Sequence, residues 1–235
     1  MKAFILAAGK GERLRPLTET VPKCLLPIQG IPVLGVWLEL CRRHGIDELL
    51  VNTHSHADTV KGYLQHHREE VRLHITEEES LLGSAGTVLA HRSWVGSDPE
   101  FWIFYADVLT NTNLTDMLDF HRRQKQVATL GVNRVANPQQ CGIVTVDEEG
   151  VVQQFVEKPA KPSSDLAFSG ILLATPAIFD AIPTHIPADI GFDVLPNLVR
   201  RMAAYPISDY LVDIGTSASY QYAQETWPGL AVLAS

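Results

Sequence analysis

The sequence predicts an α/β fold, a three-layer sandwich with helices on both faces of a mostly parallel mixed sheet and a small antiparallel insertion. Short apolar runs typical of buried strands alternate with helix-like segments over roughly the first 135 residues, which is the pattern of a parallel sheet. The chain has 235 residues, of which 46% are hydrophobic, so it is also long enough to bury a large core as one domain.

The first part of the chain carries the β–α alternation. Its predicted strands are buried apolar runs, at residues 2–8, 48–53, 71–76, 101–105 and 127–135. Its predicted helices are at residues 32–45, 58–69, 83–94 and 113–124. The first helix is expected to end near Gly45, because glycine is favoured directly after a helix. Ligands of such sheets bind at the carboxyl ends of strands, where the loop after Ala8 and the residue Asp107 both lie.

The pattern changes near residue 140. Residues 142–146 and 151–156 are predicted to form a hairpin, whose turn is the acidic stretch at 147–150 that ends in glycine. Beyond the hairpin we predict strands at 167–174 and 210–214 and helices at 176–182, 194–202 and 217–226. We therefore expect one domain, residues 1–235, with a soft internal boundary near residue 140.

Composition excludes several classes of protein. A net charge of −8 argues against non-specific binding of nucleic acid, which usually needs a basic protein. Three widely spaced cysteines without zinc-like spacing fit a reducing, cytoplasmic location rather than a disulfide framework. No apolar run approaches the roughly 18 residues of a membrane span. We expect no nucleic-acid partner and no membrane partner.

The loop that follows the first strand has the composition of an anion-binding site. Gly9 and Gly11 let the backbone approach a ligand closely, and Arg13 and Lys23 bring positive charge. Leu14 stands where a dinucleotide-binding fingerprint needs its third glycine, and no P-loop string occurs. The loop therefore predicts a phosphate site of another kind.

The loop resembles the signature of the sugar-1-phosphate nucleotidyltransferases, also called sugar-nucleotide pyrophosphorylases. Residues 6–18 read L-A-A-G-x-G-x-R-L-x-P-L-T, and P-K and L-L-P-I follow at 22–23 and 25–28. The resemblance continues along nearly the whole chain, at residues 82–86, 107, 142–144, 155–159, 169–171 and 213–216. Because the match is long and ordered, it is more specific than a lone pair of glycines.

The resemblance implies a reaction and a fold. Members of this family move a nucleoside monophosphate from a nucleoside triphosphate to a sugar 1-phosphate and release pyrophosphate, on a Rossmann-like nucleotide-diphospho-sugar transferase fold. Residues 1–140 would be the nucleotide-binding half and residues 141–235 the acceptor-binding half. The implied partners are these two substrates, and the implied state is a monomer or homodimer. Since Ser235 closely follows the last motif, we expect no left-handed β-helix domain.

The resemblance also implies site residues. The catalytic residues would be Arg13 and Lys23, and the metal ligands for Mg²⁺ would be Asp107 and Asp213. The nucleotide-binding residues would be Leu6, Ala8, Gly9, Gly11, Gly83 and Asp107. The residues that bind the sugar phosphate would be Gly142, Glu157, Lys158 and Ser169.

Four positions depart from the common family pattern. Glu12 replaces a frequent threonine and Ala106 a usual glycine, and neither change affects the expected chemistry. Cys141 stands where an aromatic residue is frequent, and Ser169 where an asparagine commonly contacts the sugar. Because these two positions border the acceptor, a heptose phosphate or a cyclitol phosphate is a live alternative to a hexose phosphate.

The base is predicted from a single motif. Residues 82–86, L-G-S-A-G, are similar to the L-G-T-A-G of mannose-1-phosphate and heptose-1-phosphate guanylyltransferases, which favours GTP. The alternatives are a uridylyltransferase or thymidylyltransferase of the same family, or a non-catalytic subunit that binds nucleotide sugars. The retained charged residues favour an enzyme, because a sensor has no transition state to stabilise.

Overall fold

The computed structural model describes residues 1–67, 69 and 71–230. Its strands are β1 (Lys2–Leu6), β2 (Pro27–Ile28), β3 (Ile31–Pro32), β4 (Glu48–Thr53), β5 (Arg72–Glu77), β6 (Phe101–Tyr105), β7 (Val108–Thr110), β8 (Ala128–Arg134), β9 (Gly142–Val146), β10 (Val152–Glu157), β11 (Leu166–Ala174), β12 (Met202–Pro206) and β13 (Leu211–Asp213). Its α-helices are α1 (Val33–Arg43), α2 (Ala57–Gln65), α3 (Ser84–Ala90), α4 (Arg92–Val95), α5 (Leu114–Gln124) and α6 (Ser217–Thr226).

The chain forms two compact units. The first comprises Met1–Leu81, Phe104–Asn113 and Asp209–Ser235, and the second comprises Leu82–Ile103 and Leu114–Ser208. The chain passes from the second unit into the first within β6. These units follow a different division from the functional halves expected at residue 140, which stay a prediction.

The first unit is built on parallel strands. β4 lies between β1 and β5 and is parallel to both, with Phe4 opposite Leu50 in the register. α1 buries its apolar face, and the ring of Trp37 stacks on that of Phe104 at the end of β6, with centroids 4.4 Å apart. Stacked, fully buried aromatic rings stabilise a core beyond the area that they remove from water.

A short antiparallel pair in the first unit joins distant parts of the chain. β13 pairs with β7, so that Asp213 lies opposite Val108 and Leu211 opposite Thr110. The amide of Ile214 also donates to the carbonyl of Asp107 at 3.0 Å. This pair brings two aspartates that are far apart in the sequence to the same end of two strands.

The second unit combines parallel and antiparallel pairing. β8 pairs with β12 in parallel and with β11 antiparallel. β9 and β10 form the predicted antiparallel hairpin, and β9 also pairs with β11. The register between β11 and β8 shifts between Phe168 and Leu172, where Gly170 has a φ of 80°. Together with the parallel strands and helices of the first unit, the hairpin confirms the predicted fold class.

The predicted helix at residues 194–202 is wrong. The structure has a π-helical turn at Ile190–Val194, a 3₁₀ turn at Leu195–Leu198 and then β12. The backbone leaves helical geometry at Val199, whose ψ is 135°, and Arg200 follows with a φ of 65°. Of the predicted helix only Met202 belongs to β12, where it pairs with Ala128 of β8.

The helix predicted at residues 83–94 is interrupted. α3 and α4 are separated at His91, whose backbone leaves helical geometry. None of the helices within the described ranges is long and apolar enough to cross a membrane.

Candidate functional site

The loop after β1 needs glycine at one position and leaves room at another. Gly11 has a φ of 65°, and a Cβ there would lie 2.8 Å from Thr18 Cγ2. The hydroxyl of Thr18 donates to the Gly11 carbonyl at 2.7 Å, which holds the loop closed on itself. A Cβ on Gly9 would meet no described atom within 4 Å. The backbone at Gly9 is therefore open to a ligand rather than crowded by the protein.

The start of this loop is anchored by buried polar residues. The amide of Ala7 donates to Asn52 Oδ1 at 2.7 Å, and Asn52 Nδ2 donates to Glu78 Oε1 at 2.8 Å. Asn52 is on β4, Glu78 directly follows β5, and both side chains are buried. The carbonyl of Leu6 accepts from the amide of Ala106 at 3.1 Å, and Ala8 is buried. These contacts fix where the loop after β1 leaves the sheet.

Sequence reasoning missed Asn52 and Glu78. The available signal is that each polar side chain lies at the carboxyl end of a strand, next to the loop, where a parallel sheet binds its ligands.

Lys23 is held by two carboxylates. Its ammonium donates to Asp107 Oδ2 and lies 3.9 Å from Asp213 Oδ1. The pairing of β7 with β13 brings the two aspartates together, and the Lys23 side chain is only 10% exposed. A largely buried ammonium between two carboxylates is placed to bind phosphate oxygens as alternative hydrogen-bond acceptors.

Arg13 reaches the same group through Gly215. A Cβ on Gly215 would lie 2.7 Å from Asp213 Oδ1, 2.8 Å from Arg13 Nη2 and 3.3 Å from Lys23 Nζ. The amide of Gly215 donates to Asp213 Oδ1 at 2.6 Å. A side chain at position 215 would force these three charged groups to shift. Gly215 was part of a recognised motif, but its role in the site was not predicted.

Asp213 is affected by its charged neighbours. Desolvation and the neighbouring carboxylate of Asp107 raise the pKa of Asp213, while the positive charges of Lys23 and Arg13 oppose that rise. Two neighbouring carboxylates are a donor set that suits a divalent metal, and Mg²⁺ commonly takes one or two carboxylates with substrate phosphates and water. Among the described residues no group of three or more metal-binding side chains occurs, so phosphate and water would have to complete the shell.

The second unit holds the predicted acceptor residues. Gly142 pairs with Glu157 across the β9–β10 hairpin, and a Cβ on Gly142 would lie 2.6 Å from Glu157 Oε2 and 2.5 Å from Phe155 Cζ. Lys158 Nζ lies 3.7 Å from Glu157 Oε1. Burial raises the pKa of Glu157, Lys158 lowers it, and the carboxylate of Asp189 raises it further. A side chain at position 142 would therefore force the Phe155 ring and the Glu157 carboxylate to move.

The backbone at Lys158 is strained. Its φ is 48°, in the left-handed region, and its amide donates to the carbonyl of Cys141 at 2.9 Å. Non-glycine residues persist in this region when their surroundings hold them there, and such residues concentrate at functional sites. The hydrogen bond to Cys141 fixes the direction in which the lysine leaves the hairpin.

Ser169 lies in the bulged segment of β11. It is 6% exposed, and its hydroxyl accepts from the amide of Ile171 at 3.3 Å. A Cβ on Gly131 of β8 would lie 2.7 Å from this hydroxyl. The hydroxyl thus has a role in the strand, and its contact with an acceptor stays a prediction.

The motif at residues 82–86 packs on a turn of the second unit. A Cβ on Gly83 would lie 2.2 Å from the carbonyl oxygen of Ala188, which accepts the amides of Ala85 and Gly86 at 3.0 and 3.2 Å. The hydroxyl of Ser84 donates to Asp189 Oδ2 at 2.9 Å and accepts from the amide of Ile190 at 2.8 Å. A contact between Gly83 and a nucleotide stays a prediction, while the motif's packing against residues 188–190 is observed.

The predicted residues therefore form two groups. In the first unit the structure brings together the four charged residues Arg13, Lys23, Asp107 and Asp213. In the second unit it brings together Gly142, Glu157 and Lys158, and adds Asp189, which sequence reasoning missed.

Comparison with known proteins identifies relatives along almost the whole chain. A family model described as nucleotidyl transferase matches residues 2–228. The UTP–glucose-1-phosphate uridylyltransferase of Synechocystis sp. is 34% identical over 95% of this chain and 62% of its own length. Mannose-1-phosphate guanylyltransferase 1 of Arabidopsis thaliana is 30% identical over 94% of this chain and 63% of its own length. The chain thus spans less than two thirds of these relatives.

Solved structures share the fold. HddC from Yersinia pseudotuberculosis, complexed with GMP-PN, superposes with a TM-score of 0.81 at 20% identity and covers 96% of this chain and 99% of its own. The UDP-glucose pyrophosphorylase of Acinetobacter baumanii has a TM-score of 0.81 at 22% identity and covers 95% and 91%. The same architecture thus occurs in a protein complexed with GMP-PN and in one named for UDP-glucose.

Proposed function

The chain belongs to the nucleotidyl transferase family, and from this we propose that it transfers a nucleoside monophosphate from a nucleoside triphosphate to a sugar-like 1-phosphate. The observation that carries the proposal is the convergence of Arg13 and Lys23 on Asp107 and Asp213 beside the glycine loop. This arrangement combines cations for a polyphosphate with carboxylates for its metal ion.

The proposed reaction is an in-line displacement at phosphorus. A phosphate oxygen of the acceptor forms a bond to the α-phosphorus, and the bond from that phosphorus to the bridging oxygen of pyrophosphate breaks. The electron pair of the broken bond leaves with pyrophosphate. Because both substrates are polyanions, the protein contributes mainly through positioning and charge neutralisation.

The first-unit residues act on the triphosphate in this proposal. Amides around Gly9 and Gly11 bind phosphate oxygens, and Arg13 adds a guanidinium donor that suits phosphate geometry. Lys23 stabilises the charge that develops at the α-phosphate. Its low exposure strengthens that effect, because charges interact more strongly where water is scarce.

Asp107 and Asp213 would hold Mg²⁺ in the active complex. The ion, when bound, neutralises phosphate charge and helps to orient the triphosphate. Lys23 then has phosphate oxygens as alternative acceptors to the two carboxylates that it contacts in this structure.

The second-unit residues bind the acceptor in this proposal. Lys158 takes the phosphate of the acceptor, and the Glu157 carboxylate accepts hydrogen bonds from its hydroxyl groups. Gly142 and Ser169 border the ring. Position 141 is a cysteine rather than an aromatic residue, and position 169 is a serine rather than an asparagine. Because of these two differences, a heptose phosphate or a cyclitol phosphate remains among the proposed acceptors.

We propose GTP as the preferred nucleotide, on the basis of the L-G-S-A-G motif at residues 82–86. The Arabidopsis guanylyltransferase supports GTP, and the Synechocystis uridylyltransferase supports the alternative, UTP. A non-catalytic role is disfavoured, since the charged group of the first unit would then have no reaction to promote.

The experiment is a substrate panel. GTP, UTP, dTTP and CTP are each combined with mannose, glucose and heptose 1-phosphates and with an inositol phosphate, and pyrophosphate release is measured. We expect release in at least one combination with Mg²⁺ and none after chelation with EDTA. Lys61→Ala, which removes a half-buried lysine paired with Glu77, is the control for general loss of charge. If no combination releases pyrophosphate, the chain is not the proposed enzyme.

A further inference from the structure

Phe192 is a large apolar side chain in an unusual position. It is 56% exposed, and its ring centroid lies 5.5 Å from the ammonium of Lys158. A cation at this distance from an aromatic face is held by the ring's charge distribution. An exposed phenylalanine beside a phosphate-binding lysine is more consistent with a ligand contact than with core packing.

Several hydrogen bonds hold the turn that carries Phe192. The amide of Phe192 donates to Asp189 Oδ1 at 3.0 Å, and the amide of Asp189 donates to Asp193 Oδ2 at 2.7 Å. The second carboxylate oxygen of Asp189 accepts from the hydroxyl of Ser84. The turn itself is π-helical, a geometry that occurs frequently at functional sites. The ring is therefore presented by an ordered backbone.

Gly191 brings this turn against the Glu157 carboxylate. A Cβ on Gly191 would lie 2.6 Å from Glu157 Oε2 and 3.2 Å from Asp189 Oδ1. Any larger residue would displace the carboxylate. Glu157, Lys158 and Phe192 consequently form one contiguous surface within the second unit.

This surface offers three kinds of contact. The ammonium of Lys158 suits a phosphate, and the carboxylate of Glu157 accepts hydrogen bonds from hydroxyl groups. The exposed ring of Phe192 can pack against the apolar C–H face of a cyclic polyol. An acyclic polyol has no flat face of this kind. Burying that face against the ring removes apolar area of both partners from water.

We propose that Phe192 determines acceptor specificity by packing against the ring of the acceptor, and so selects cyclic polyol phosphates over acyclic ones. This inference rests on the proposed function, because it assumes that Lys158 and Glu157 bind the acceptor. It assigns to the 189–194 turn a substrate contact that the motifs did not include.

The experiment compares Phe192→Ala, Phe192→Tyr and the wild type in the assay that the substrate panel identifies. The KM for the best cyclic acceptor rises about tenfold in Phe192→Ala, a loss of about 1.4 kcal/mol, and Phe192→Tyr restores it. The KM for the nucleotide changes less than twofold. Tyr222→Ala, which removes an aromatic side chain that is 55% exposed on α6, leaves both constants unchanged.

A second measurement separates ring packing from an effect through Lys158. Glycerol 3-phosphate, an acyclic polyol phosphate, is used as a competitive inhibitor, and its inhibition constant stays the same in Phe192→Ala. An equal loss for the inhibitor and the cyclic acceptor would mean that Phe192 only orients the lysine, which overturns the proposal. An unchanged acceptor KM, or a rise confined to the nucleotide KM, also overturns it.

Binding of the acceptor tests the role of Phe192 even when no product is formed. The wild type and Phe192→Ala are titrated with mannose 1-phosphate and inositol 1-phosphate, with the α,β-methylene analogues of GTP and UTP present in turn. Binding that weakens about tenfold in the variant supports the role of Phe192, even if the panel shows no transfer. Equal binding by both proteins, or none by the wild type, overturns it.

Discussion

The ammonium of Lys23 donates a hydrogen bond to Asp107 although 84 positions separate the two residues in the sequence. The pair lies where the glycine loop meets the end of β6 and the start of β7. Asp213 completes it from β13, through the antiparallel pairing with β7. The pairing of two short strands thus brings the two carboxylates together, and 3₁₀ turns of the preceding segment carry Arg13 and Lys23.

Lys23→Ala is expected to lower kcat by roughly a hundredfold or more, because it removes a charge partner of the transition state. The nucleotide and acceptor KM values should change much less than kcat. Steady-state kinetics, with Lys61→Ala as the control, measure both. An unchanged kcat would remove Lys23 from the mechanism.

Gly215→Ala is expected to reduce activity at least tenfold, because the new Cβ would overlap Asp213 Oδ1 and Arg13 Nη2. The matched control is Gly62→Ala in α2, where a Cβ meets no described atom within 4 Å. Alanine is favoured over glycine inside a helix, so the control should gain about 0.5–1 kcal/mol of stability and keep its activity. Equal activity of the two variants would contradict the convergence seen at Gly215.

Asn52→Leu is expected to release the amide of Ala7 and to leave Glu78 without one of its donors. The free energy of unfolding should fall by about 1–3 kcal/mol, the usual cost of an unsatisfied buried polar group. The nucleotide KM should rise, because the phosphate loop loses its anchor. Thr53→Val, which removes the neighbouring bond to the Thr76 carbonyl, is the control and should leave the nucleotide KM unchanged.

Ser84→Ala is expected to raise the acceptor KM by roughly fivefold to tenfold, since two hydrogen bonds to the turn at residues 189–190 are lost. Ser84→Thr keeps the hydroxyl and should retain most of the affinity. Ser163→Ala, which removes an exposed hydrogen bond to Gln154, is the control. A rise in the nucleotide KM alone would instead support the predicted contact of residues 82–86 with the nucleotide.

Glu157→Gln is expected to change the pH dependence of stability. The folded protein raises the pKa of Glu157 above its ordinary value of about 4.3, so the folded state favours the protonated form. Stability from this group is therefore present below that pH and is lost as pH rises through the folded pKa. The variant should unfold at a higher temperature than the wild type at pH 7, and the difference should shrink towards pH 4.

The same variant should bind the acceptor less tightly, because an amide has one acceptor oxygen where the carboxylate has two. Glu148→Gln on the exposed hairpin turn is the control. A constant difference in melting temperature between pH 4 and pH 7 would show that Glu157 does not titrate as its burial requires.

The sequence alone predicts those parts of the site whose residues lie close together in the chain. Gly9, Gly11, Arg13 and Lys23 fall within 15 positions of one another, so their order and spacing alone indicate a phosphate loop. The fold class follows from the β–α alternation and is confirmed. Asp107 and Asp213 were placed by resemblance, and the structure explains their meeting through β7 and β13.

The remaining features depend on contacts between distant residues. Ser84 and Asp189 are 105 positions apart, and neither side chain shows by its type that it will bond to the other. Asn52 and Glu78 look like ordinary polar residues at strand ends until the parallel register aligns β4 with β5. The end of the helix predicted at residues 194–202 was wrong for a related reason, since Met202 pairs with Ala128 of β8, which lies far back in the chain.

Because β7 pairs with β13, the charged group around Lys23 can be completed only late in synthesis. Lys23 and Asp107 are made early, but Asp213 can join them only after the segment that follows residue 208 has left the ribosome. Contacts of such long sequence separation form late, because the intervening chain must close a large loop first. A nascent or prematurely terminated chain would thus carry the glycine loop without its second carboxylate. Completion of this charged group would then report that translation has proceeded past β13.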